Sequence, residues 1–347
     1  MRTAIITGAG GLVGSASVRF LQDKFDQIIG IENNCRAKFF GPDGSIEKNL
    51  SLLKEVKNFH NYDIDIREYG SLKQIFKKNK VDLVIHTAAQ PSHDWSRNVI
   101  VDFNVNAVGT LNVLELTRQF SPEAVFIFTS TNKVYGDSPN RLPFLALKTR
   151  FDLDHWHTLY NGINEKMPLD NSLHTFFGVS KASADLLTKE YARFVGLRTG
   201  VFRCGCITGK NHQGVPFHGF LSFLVKCAIH REPYNIIGYQ GKQVRDNIHA
   251  DDLVAAFYEF YKNPRAGEAY NIGGGRQNSC SVIEAIALAE NVAGVKMNCA
   301  IVDKPRMGDH QWWITNNQKF MDHFPSWKCQ HTLETIVTEM VEGCSNG

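Results

Sequence analysis

Three glycines near the start of the chain, Gly8, Gly11 and Gly14, are spaced three residues apart directly after the apolar residues 4–6. This spacing is typical of a dinucleotide site. The first glycine permits a tight turn, the second lets a pyrophosphate approach the backbone, and the third lets a helix pack close to the preceding strand. We therefore predict a pyrophosphate at the N-terminus of that helix, in contact with Gly8, Gly11, Leu12, Val13 and Gly14.

A second apolar run, residues 28–31, ends in Glu32, about 20 residues after the glycines. A carboxylate at this point binds both hydroxyls of an adenosine ribose and repels a 2′-phosphate. The sequence therefore favours NAD over NADP, with Asn33 beside the ribose. Arg36 and Lys38 leave NADP as the alternative.

Further candidate cofactor contacts follow later apolar runs. Asp65 and Ile66 stand where a strand end would meet an adenine ring, although a simple strand-end cap also explains them. Asn106 lies early in a long helical pattern, where a buried asparagine also satisfies backbone groups. Small or hydroxyl-bearing residues at two strand ends complete this predicted set: Thr87, Ala88, Ala89 and Thr129.

Hydroxyls and one lysine form the candidate catalytic group. Thr131 ends the hydroxyl-rich segment 129–131, and a hydroxyl at a strand end can donate to a sugar hydroxyl or carbonyl. Lys181 begins a later helical pattern, and Phe177 lies one turn before it on the same helix face.

Composition limits the remaining classes of function. The chain has 347 residues and a net charge of +3, which gives no argument for a nucleic acid or a membrane surface. No apolar run approaches the ~18 residues of a membrane span, and the first residues read as a strand and not as a signal peptide. Eight cysteines without a C-x-x-C pair favour a reducing cytoplasm, and thirteen histidines without an H-x-x-x-H pair predict no metal site.

Alternating strand and helix patterns must position these residues. Strands are predicted at 3–7, 27–31, 57–60, 82–86, 124–129 and 199–203, and helices at 12–24, 68–78, 103–119 and 178–195. This rhythm predicts an α/β doubly wound parallel sheet with right-handed crossovers. We expect a Rossmann domain over 1–205, with parts of 238–262 woven back into it, and a smaller α/β lobe over 206–347. The polar segment 137–176 reads as a long loop that could close as a lid.

The chain resembles the extended short-chain dehydrogenase/reductase family, in its group of nucleotide-sugar epimerases and dehydratases, from end to end. Residues 129–137 and 241–246 are most similar to CDP-paratose 2-epimerases, also called CDP-tyvelose epimerases. The matching positions are Gly8, Gly11, Gly14, Glu32, Asp65, Ile66, residues 129–136, Lys181, Arg245, Asp246, Asp252, residues 271–274, Arg306 and Asp309.

This resemblance implies NAD-dependent epimerisation at an active site between the two domains. NAD takes a hydride from a sugar carbon, and the hydride returns to the other face of the keto sugar. Thr131 orients the sugar, and Lys181 holds the nicotinamide ribose. Helices 103–119 and 178–195 match the pair that forms a four-helix homodimer interface in the family. The implied nucleotide-sugar contacts, with CDP favoured, are Gln90, Ser92, His93, Thr131, Asn132, Lys133, Asn211, Arg245, Arg306 and Asp309.

The sequence departs from the family at one catalytic position. The family motif is Tyr-x-x-x-Lys, and Phe177 replaces the tyrosine that normally accepts a proton. Three readings stay open: another residue replaces this base, the chain binds NAD without turnover, or Phe177 is an engineered change that traps substrate. The candidate replacements are Lys133, Tyr135, Glu165, His174, Cys204 and Cys206.

Residues 132 and 133 separate epimerase from dehydratase chemistry. Related 4,6-dehydratases carry Asp-Glu at these positions, which exchange protons during water loss. Asn132 cannot act as an acid, and Lys133 has the opposite charge to the missing carboxylate. Dehydration is therefore disfavoured. A UDP-sugar 4-epimerase and a dehydratase or reductase of altered mechanism are the alternatives to a CDP-sugar 2-epimerase.

Overall fold

The computed structural model describes residues 1–92, 98–216 and 218–345. Strands and helices alternate through its first half and mix with short strands through its second half. The strands are β1 (Thr3–Thr7), β2 (Gln27–Ile31), β3 (Phe59–Tyr62), β4 (Leu83–His86), β5 (Val125–Thr131), β6 (Leu145–Ala146), β7 (Phe151–Asp152), β8 (Arg198–Cys204), β9 (Cys206–Thr208), β10 (Tyr234–Ile237), β11 (Val244–His249), β12 (Glu268–Ile272), β13 (Ser279–Ser281), β14 (Cys299–Val302) and β15 (Trp312–Trp313). The α-helices are α1 (Leu12–Leu21), α2 (Cys35–Phe40), α3 (Glu47–Leu53), α4 (Tyr69–Lys78), α5 (Val99–Phe103), α6 (Gly109–Phe120), α7 (Phe176–Val195), α8 (Phe220–His230), α9 (Ala250–Lys262), α10 (Val282–Ala293), α11 (Gln318–His323) and α12 (Leu333–Ser345).

Unit 1 comprises residues 1–134, 176–203 and 253–270. Its seven-stranded sheet has the order β12-β8-β5-β4-β1-β2-β3, and β1 pairs in parallel with both β2 and β4. All residues of β1 and β4 are buried, as expected for strands covered on both faces. The predicted doubly wound parallel fold is confirmed.

A continuous helical stretch, 99–120, lies beside this sheet. It consists of α5, a π-helical turn at Asn104–Val108, and α6. By length and composition it could span a membrane, which the sequence analysis did not anticipate. A single helix of this kind is weak evidence for a membrane span, and 44% of its apolar window is buried inside the protein. Its buried residues Val113, Leu114 and Leu116 belong to the apolar core of unit 1.

Unit 2 comprises residues 135–175, 204–252 and 271–347. One sheet has the order β13-β11-β15, with β9 also paired to β11, and a second pairs β10 with β14. An apolar core forms where α8, α10 and α12 pack together. The predicted smaller C-terminal α/β lobe corresponds to this unit.

The units divide the chain differently from the predicted domains at one segment. Segment 135–175 belongs to unit 2, because two ion pairs fix it there: Arg150 with Glu284, and Asp152 with Arg276 at 2.8 Å. Of the range 238–262, parts of which were expected to return to the first domain, residues 253–262 lie in unit 1 and residues 238–252 in unit 2.

Candidate active site

The glycine turn has the conformation that its sequence predicts. Gly8 has φ of +70°, and a Cβ added there would lie 2.8 Å from the amide nitrogen of Ala88. A Cβ at Gly14 would lie 2.0 Å from the carbonyl oxygen of Gly8, so α1 packs directly on the end of β1. Gly11 is the N-cap residue of α1. It has no side chain that could accept the backbone N–H groups of the first turn, such as those of Leu12 and Val13. The turn therefore presents bare backbone where an anion would bind.

Glu32 lies next to this turn, at the end of β2. Its carboxylate accepts N–H groups from Gly10 at 3.3 Å, Asn33 at 2.9 Å and Asn34 at 2.8 Å. Burial raises the pKa of Glu32 above its ordinary value, and these three N–H groups oppose the shift. Four lone-pair sites on a carboxylate leave room for ribose hydroxyls as well.

Burial lowers the pKa of Arg36 to about 10. Glu32 opposes that shift through its charge, so the two side chains stabilise each other in the ionised state. Arg36, which left NADP as the alternative cofactor, thus interacts with Glu32, the acid that favours NAD.

Asp65 follows β3 and is bound by an arginine that the sequence analysis did not single out. Arg67 donates to both carboxylate oxygens, at 2.8 and 2.7 Å, which lowers the pKa of Asp65 to about 2. Asn33 donates to the same carboxylate at 3.1 Å. Ile66 beside it is buried, and a Cβ at Gly109 would meet its side chain at 2.5 Å.

A buried polar chain joins β1, β4 and α6. His86 Nδ1 lies 2.6 Å from Thr7 Oγ1, and its Nε2 lies 2.9 Å from Thr110 Oγ1. Burial, and secondarily the charge of Lys181, lower the pKa of His86 to about 3. This imidazole is therefore neutral in the folded protein.

Thr7 also fixes the loop after β4. Thr87 Oγ1 donates to the carbonyl of Thr7 at 2.7 Å, and the amide of Ala88 donates to Thr7 Oγ1 at 3.2 Å. Thr87, Ala88 and Ala89 are half-buried. These small residues thus lie beside Gly8, as a cofactor resting on backbone requires.

Asn106 binds the same loop through backbone groups. Its Oδ1 accepts the amide N–H of Gln90 at 2.9 Å, and its Nδ2 donates to the Gln90 carbonyl at 3.2 Å and to Ser180 Oγ at 3.0 Å. Of the two readings of this asparagine, the structure shows the contact with backbone groups.

The structure corrects the prediction that the Gln90 side chain faces substrate. Gln90 is fully buried, and its Nε2 donates to the carbonyl of Ser92 at 2.8 Å, so it shapes the loop. Ser92 is also buried. His93 lies outside the described residues.

Lys181 is buried on α7 against the end of β5. Its Nζ donates to the carbonyl of Thr129 at 2.7 Å and lies 4.2 Å from the ring centroid of Phe128. Phe177, one turn earlier, is 5% exposed. Among the described residues, the Oγ1 of Thr129 is buried without a hydrogen-bond partner, which makes it a candidate cofactor contact.

The segment after β5 places Thr131 beside Lys133. The amide N–H of Lys133 donates to Thr131 Oγ1 at 3.2 Å, and Asn132 is buried. Thr131 and Lys133 are half-buried. The local turn therefore holds the predicted sugar-orienting hydroxyl next to a candidate base.

Two other candidate bases are held by the same asparagine in unit 2. The hydroxyl of Tyr135 donates to Asn271 Oδ1 at 2.8 Å and is fully buried, so its proton is already committed. Glu165 accepts the amide N–H of Asn271 at 2.7 Å. Cys204, also in unit 2, is 2% exposed.

The predicted diphosphate residues lie in unit 2, and two of them form an ion pair. Arg245 Nη2 lies 2.6 Å from Asp309 Oδ1, and its Nη1 donates to the carbonyl of Val244 at 2.7 Å. Arg306 Nη2 donates to the carbonyl of Pro216 at 2.8 Å. Asn211 is half-buried just beyond the end of β9.

Sequence reasoning missed a buried ion pair that supports the hydroxyl segment. Arg203 on β8 forms two hydrogen bonds, of 2.9 and 2.8 Å, with Asp185 on α7, and both side chains are buried. Ser130 Oγ donates to the same carboxylate at 2.7 Å. An aspartate one turn after Lys181, on the buried face of the helix, was the available indication.

Asp246 was known only as a matching position, and the structure gives it a role in unit 2. It is fully buried and accepts the amide N–H groups of Gly275 at 2.9 Å and Thr315 at 3.0 Å. Burial raises the pKa of Asp246 to about 6 despite these bonds. Asp246 thereby joins β11 to the residues that follow β12 and β15, which are far apart in sequence.

Comparison with known proteins gives consistent relatives. A sequence profile of the NAD dependent epimerase/dehydratase family matches residues 4–273. The chain is 32% identical, over 301 residues, to CDP-paratose 2-epimerase of Salmonella typhi, covering 84% of this chain and 85% of that protein. It is 29% identical, over 342 residues, to UDP-glucuronate 4-epimerase of Thermodesulfobacterium geofontis, covering 96% of this chain and 94% of that protein.

The fold is also similar to that of a solved structure. A crystal structure of dTDP-glucose 4,6-dehydratase from Bacillus anthracis in complex with NAD matches with a TM-score of 0.79 and 21% sequence identity. The match covers 100% of this chain and 97% of that one. At this identity the likeness establishes the fold.

Proposed function

The chain belongs to the NAD dependent epimerase/dehydratase family, and we propose that it is an NAD-dependent nucleotide-sugar epimerase acting on a CDP-sugar at carbon 2. The observation that carries the proposal is the 32% identity to a CDP-paratose 2-epimerase over 84% of the chain. A 4-epimerase acting on a UDP-sugar is the alternative, because a UDP-glucuronate 4-epimerase is 29% identical over 96% of the chain.

The residues of unit 1 fit NAD. A side chain at Gly11 would occupy the turn where the pyrophosphate lies, Glu32 offers a carboxylate for the ribose, and Thr129 has a buried hydroxyl without a partner among the described residues. When bound, NAD supplies reversible hydride transfer with the sugar carbon. Lys181 holds a positive charge, and the Thr131 hydroxyl can donate to the sugar oxygen whose proton is lost.

Epimerisation is favoured over 4,6-dehydration by the segment after β5. Dehydration needs an acid and a base at positions 132 and 133, where the related dehydratases carry Asp-Glu. Asn132 is buried and has no acidic proton, and Lys133 is a cation. Loss of water from the sugar would therefore lack its proton donor.

The proton acceptor is proposed among residues other than Tyr135 and Glu165, whose polar atoms already bind Asn271. Lys133 is the first candidate because its backbone N–H binds the hydroxyl of Thr131. Cys204 is the second. A lysine can act as a base near neutral pH only when its pKa is lowered. A second positive charge close to the lysine lowers that pKa.

Unit 2 is proposed to hold the nucleotide diphosphate. Arg245 and Arg306 match the phosphate-binding arginines of the family, and a guanidinium donates two parallel N–H groups to phosphate oxygens. Asp309 fixes the orientation of Arg245 through their ion pair. Asn211 is proposed to contact the diphosphate from the loop after β9.

A protein that binds NAD and a nucleotide sugar without turnover is the second candidate. Phe177 favours it, because a phenyl ring cannot accept the proton that the family's tyrosine accepts. The retained Lys181 and Thr131 favour an enzyme.

The experiment compares this chain with Phe177→Tyr and Lys181→Met on a panel of CDP-, UDP- and GDP-sugars. Each sugar carries deuterium at carbon 2 or carbon 4, and product is followed by NMR, with NADH absorbance recorded in parallel. We expect epimerised CDP-sugar from the unaltered chain, inverted at carbon 2 with the deuterium retained there and with slower turnover when carbon 2 carries deuterium, and no product from Lys181→Met.

Each other result has a definite meaning. Inversion at carbon 4 of a UDP-sugar would replace the proposed CDP-sugar 2-epimerase with a UDP-sugar 4-epimerase. Turnover only in Phe177→Tyr would establish a protein that binds without reacting. Loss of turnover in Lys133→Met, with NAD affinity unchanged, would identify Lys133 as the base.

We also propose that the protein is a cytoplasmic homodimer. All eight cysteines are free thiols, as expected in a reducing compartment. Large apolar side chains are exposed on the paired helices α6 and α7 and on the turn before α6: Val108, Leu111, Val179 and Leu186.

A further inference from the structure

Two imidazole rings stack in unit 2. His249 ends β11 and His331 lies just before α12, with ring centroids 4.0 Å apart and planes 22° from parallel. Three carboxylates face the pair: Asp251 and Asp252 at the start of α9, and Glu339 on α12. We call these five residues the His249–His331 cluster.

The two rings point the same way. Glu339 lies 3.3 Å from Nε2 of His249 and 4.0 Å from Nε2 of His331. On the opposite edge, Nδ1 of His249 lies 3.8 Å from Asp251 Oδ2, and Nδ1 of His331 lies 3.1 Å from Asp252 Oδ2. Both Nδ1 atoms therefore face the aspartates, and both Nε2 atoms face the glutamate.

Backbone geometry shows which nitrogen of His249 carries a lone pair. The amide N–H of Asp251 donates to Nδ1 of His249 at 3.2 Å, so a neutral ring has its proton on Nε2, towards Glu339. Nε2 of His249 makes no hydrogen bond among the described residues, although Glu339 lies 3.3 Å from it. A small movement would bring this carboxylate to the outer position that commonly supports a metal-binding histidine.

The cluster is held in place by buried and bonded groups. His249 is 5% exposed, and the Asp252 carboxylate accepts the amide N–H groups of Gln330 and His331, both at 3.1 Å. The indole of Trp327 donates to the carbonyl of Asp252 at 2.9 Å. The start of α9 and the segment before α12 are thus fixed against each other before any ligand binds.

Candidate ligand atoms converge on the aspartate side. His249, Asp251 and His331 each offer one donor atom within 4.8 Å of the other two. The Asp251 side chain is 54% exposed, which gives a cation a route in. Three carboxylates around two imidazoles concentrate negative charge, which a bound cation would offset.

We propose that His249, His331 and Asp251 bind one divalent transition-metal cation, with Asp252 as a further oxygen donor and Glu339 as the outer carboxylate. Two imidazole nitrogens with carboxylate oxygens suit Zn²⁺ in tetrahedral geometry. Binding would draw the donors inward and replace the N–H contact from Asp251 to His249. The sequence predicts no metal site because its histidines lack close spacing, whereas the fold joins positions 249 and 331.

The metal would act on structure. It would connect the end of β11 to the segment before α12, and so fix the C-terminal helix of unit 2. A Cβ added at Gly209 would lie 2.8 Å from Nε2 of His249, so the cluster also lies directly beneath the loop that carries Asn211.

The test uses the full chain after treatment with a chelator and removal of the chelator. Zn²⁺ alone is titrated by calorimetry, and Co²⁺ is added separately to record its visible ligand-field absorption. We expect one Zn²⁺ per chain, an intense tetrahedral Co²⁺ spectrum, and a loss of affinity of roughly tenfold or more in His331→Gln and in Asp251→Asn. His60→Gln, an exposed histidine of unit 1, is the matched control and should bind Zn²⁺ normally.

Two results would overturn the proposal. One is no stoichiometric Zn²⁺ binding by the unaltered chain, and the other is a Zn²⁺ affinity in both cluster variants that equals the affinity of the unaltered chain. Circular dichroism checks that each variant is folded, and the half-exposed Asp251 makes Asp251→Asn the safer of the two. NAD affinity, measured on the same samples, depends on unit 1 residues and is expected to stay unchanged. Failure of the metal site is therefore distinguishable from failure of the proposed epimerase.

Discussion

At the scale of single residues, Phe177 and Lys181 show how a site can keep its charge after losing its hydroxyl. Lys181 binds the carbonyl of Thr129 and the face of Phe128, and neither contact needs a tyrosine at position 177. The lysine therefore remains positioned in a chain that carries phenylalanine. The position of the Lys181 charge therefore does not depend on which residue accepts the proton.

His86 gives a pH prediction at this scale. Its pKa is about 3 in the folded protein against an ordinary 6.5, mainly because of burial. The unfolded chain therefore binds one more proton between these values, and stability is present above pH 6.5 and lost as the pH falls towards 3. Between pH 7 and pH 5 this group should lower the free energy of unfolding by about 2 kcal/mol.

Urea unfolding at several pH values measures the contribution of His86 to the free energy of unfolding. In His86→Gln the titrating group is absent, so its free energy of unfolding should fall less steeply than that of the unaltered protein over this range. His60→Gln, a substitution at an exposed histidine of unit 1, is the matched control. Equal slopes for the unaltered protein and His86→Gln would mean that the imidazole is not held neutral.

Single residues were predictable where their chemistry depends on local sequence. Gly8, Gly14 and Lys181 lie as their motifs predict, because a turn or a helix face sets their surroundings. The burial of Gln90 was not predicted, because its backbone N–H and carbonyl bind Asn106, which lies sixteen positions later in the chain. A contact of this kind depends on packing that periodicity does not show.

At the scale of elements, α1 and its glycine turn allow folding and cofactor binding to be separated. In Gly14→Ala the new Cβ would lie 2.0 Å from the Gly8 carbonyl oxygen, so the helix must shift, at a cost of roughly 1–3 kcal/mol of stability. In Gly11→Ala, among the described residues and leaving aside the chain neighbours of Gly11 and the backbone of α1, the new Cβ would have only the Gly8 carbonyl oxygen within 4 Å, at 3.2 Å. The Gly11 φ of −66° is also normal for alanine.

We therefore expect Gly11→Ala to keep its stability within about 1 kcal/mol and to lose NAD affinity by roughly tenfold or more, because a methyl group fills the pyrophosphate approach. Urea unfolding and NAD titration by calorimetry measure the two effects. Unchanged NAD affinity in Gly11→Ala would contradict the assignment of this turn to the cofactor.

Most elements of unit 1 follow from the sequence, and many of unit 2 do not. The buried strand β1 is marked by a short apolar run and the 20-residue helix α7 by its helical pattern, and their predicted bounds agree with the structure to within a few residues. The short strands β13 and β15 have three and two residues, which is too few for any period. Their partner in pairing is β11, which lies far away in sequence.

At the scale of the whole molecule, the units are assembled from separated segments. Residues 137–176 read as a long polar loop, yet Arg150 and Asp152 within it bind Glu284 and Arg276 of unit 2. Charged side chains in a loop normally suggest solvent. Their burial depends on partners more than one hundred positions later, so no local pattern indicates the unit to which the segment belongs.

The apolar surface on α6 and α7 leads to the prediction for the assembled protein. Leu111 and Leu186 are 40% and 48% exposed on two helices that pack together within unit 1. A stable dimer buries about 1,200–2,000 Å² of surface with an apolar centre, to which these two leucines would contribute. We expect light scattering after gel filtration to give twice the chain mass of 39.0 kDa.

Leu111→Glu combined with Leu186→Glu should convert this dimer to a monomer. Each interface would then hold carboxylates that cannot be desolvated without cost and that repel one another. Leu52→Glu is the matched control, because Leu52 is 47% exposed on α3, outside these helices, and should leave the dimer intact. A monomeric unaltered protein, or a dimer that survives both substitutions, would remove α6 and α7 as the interface.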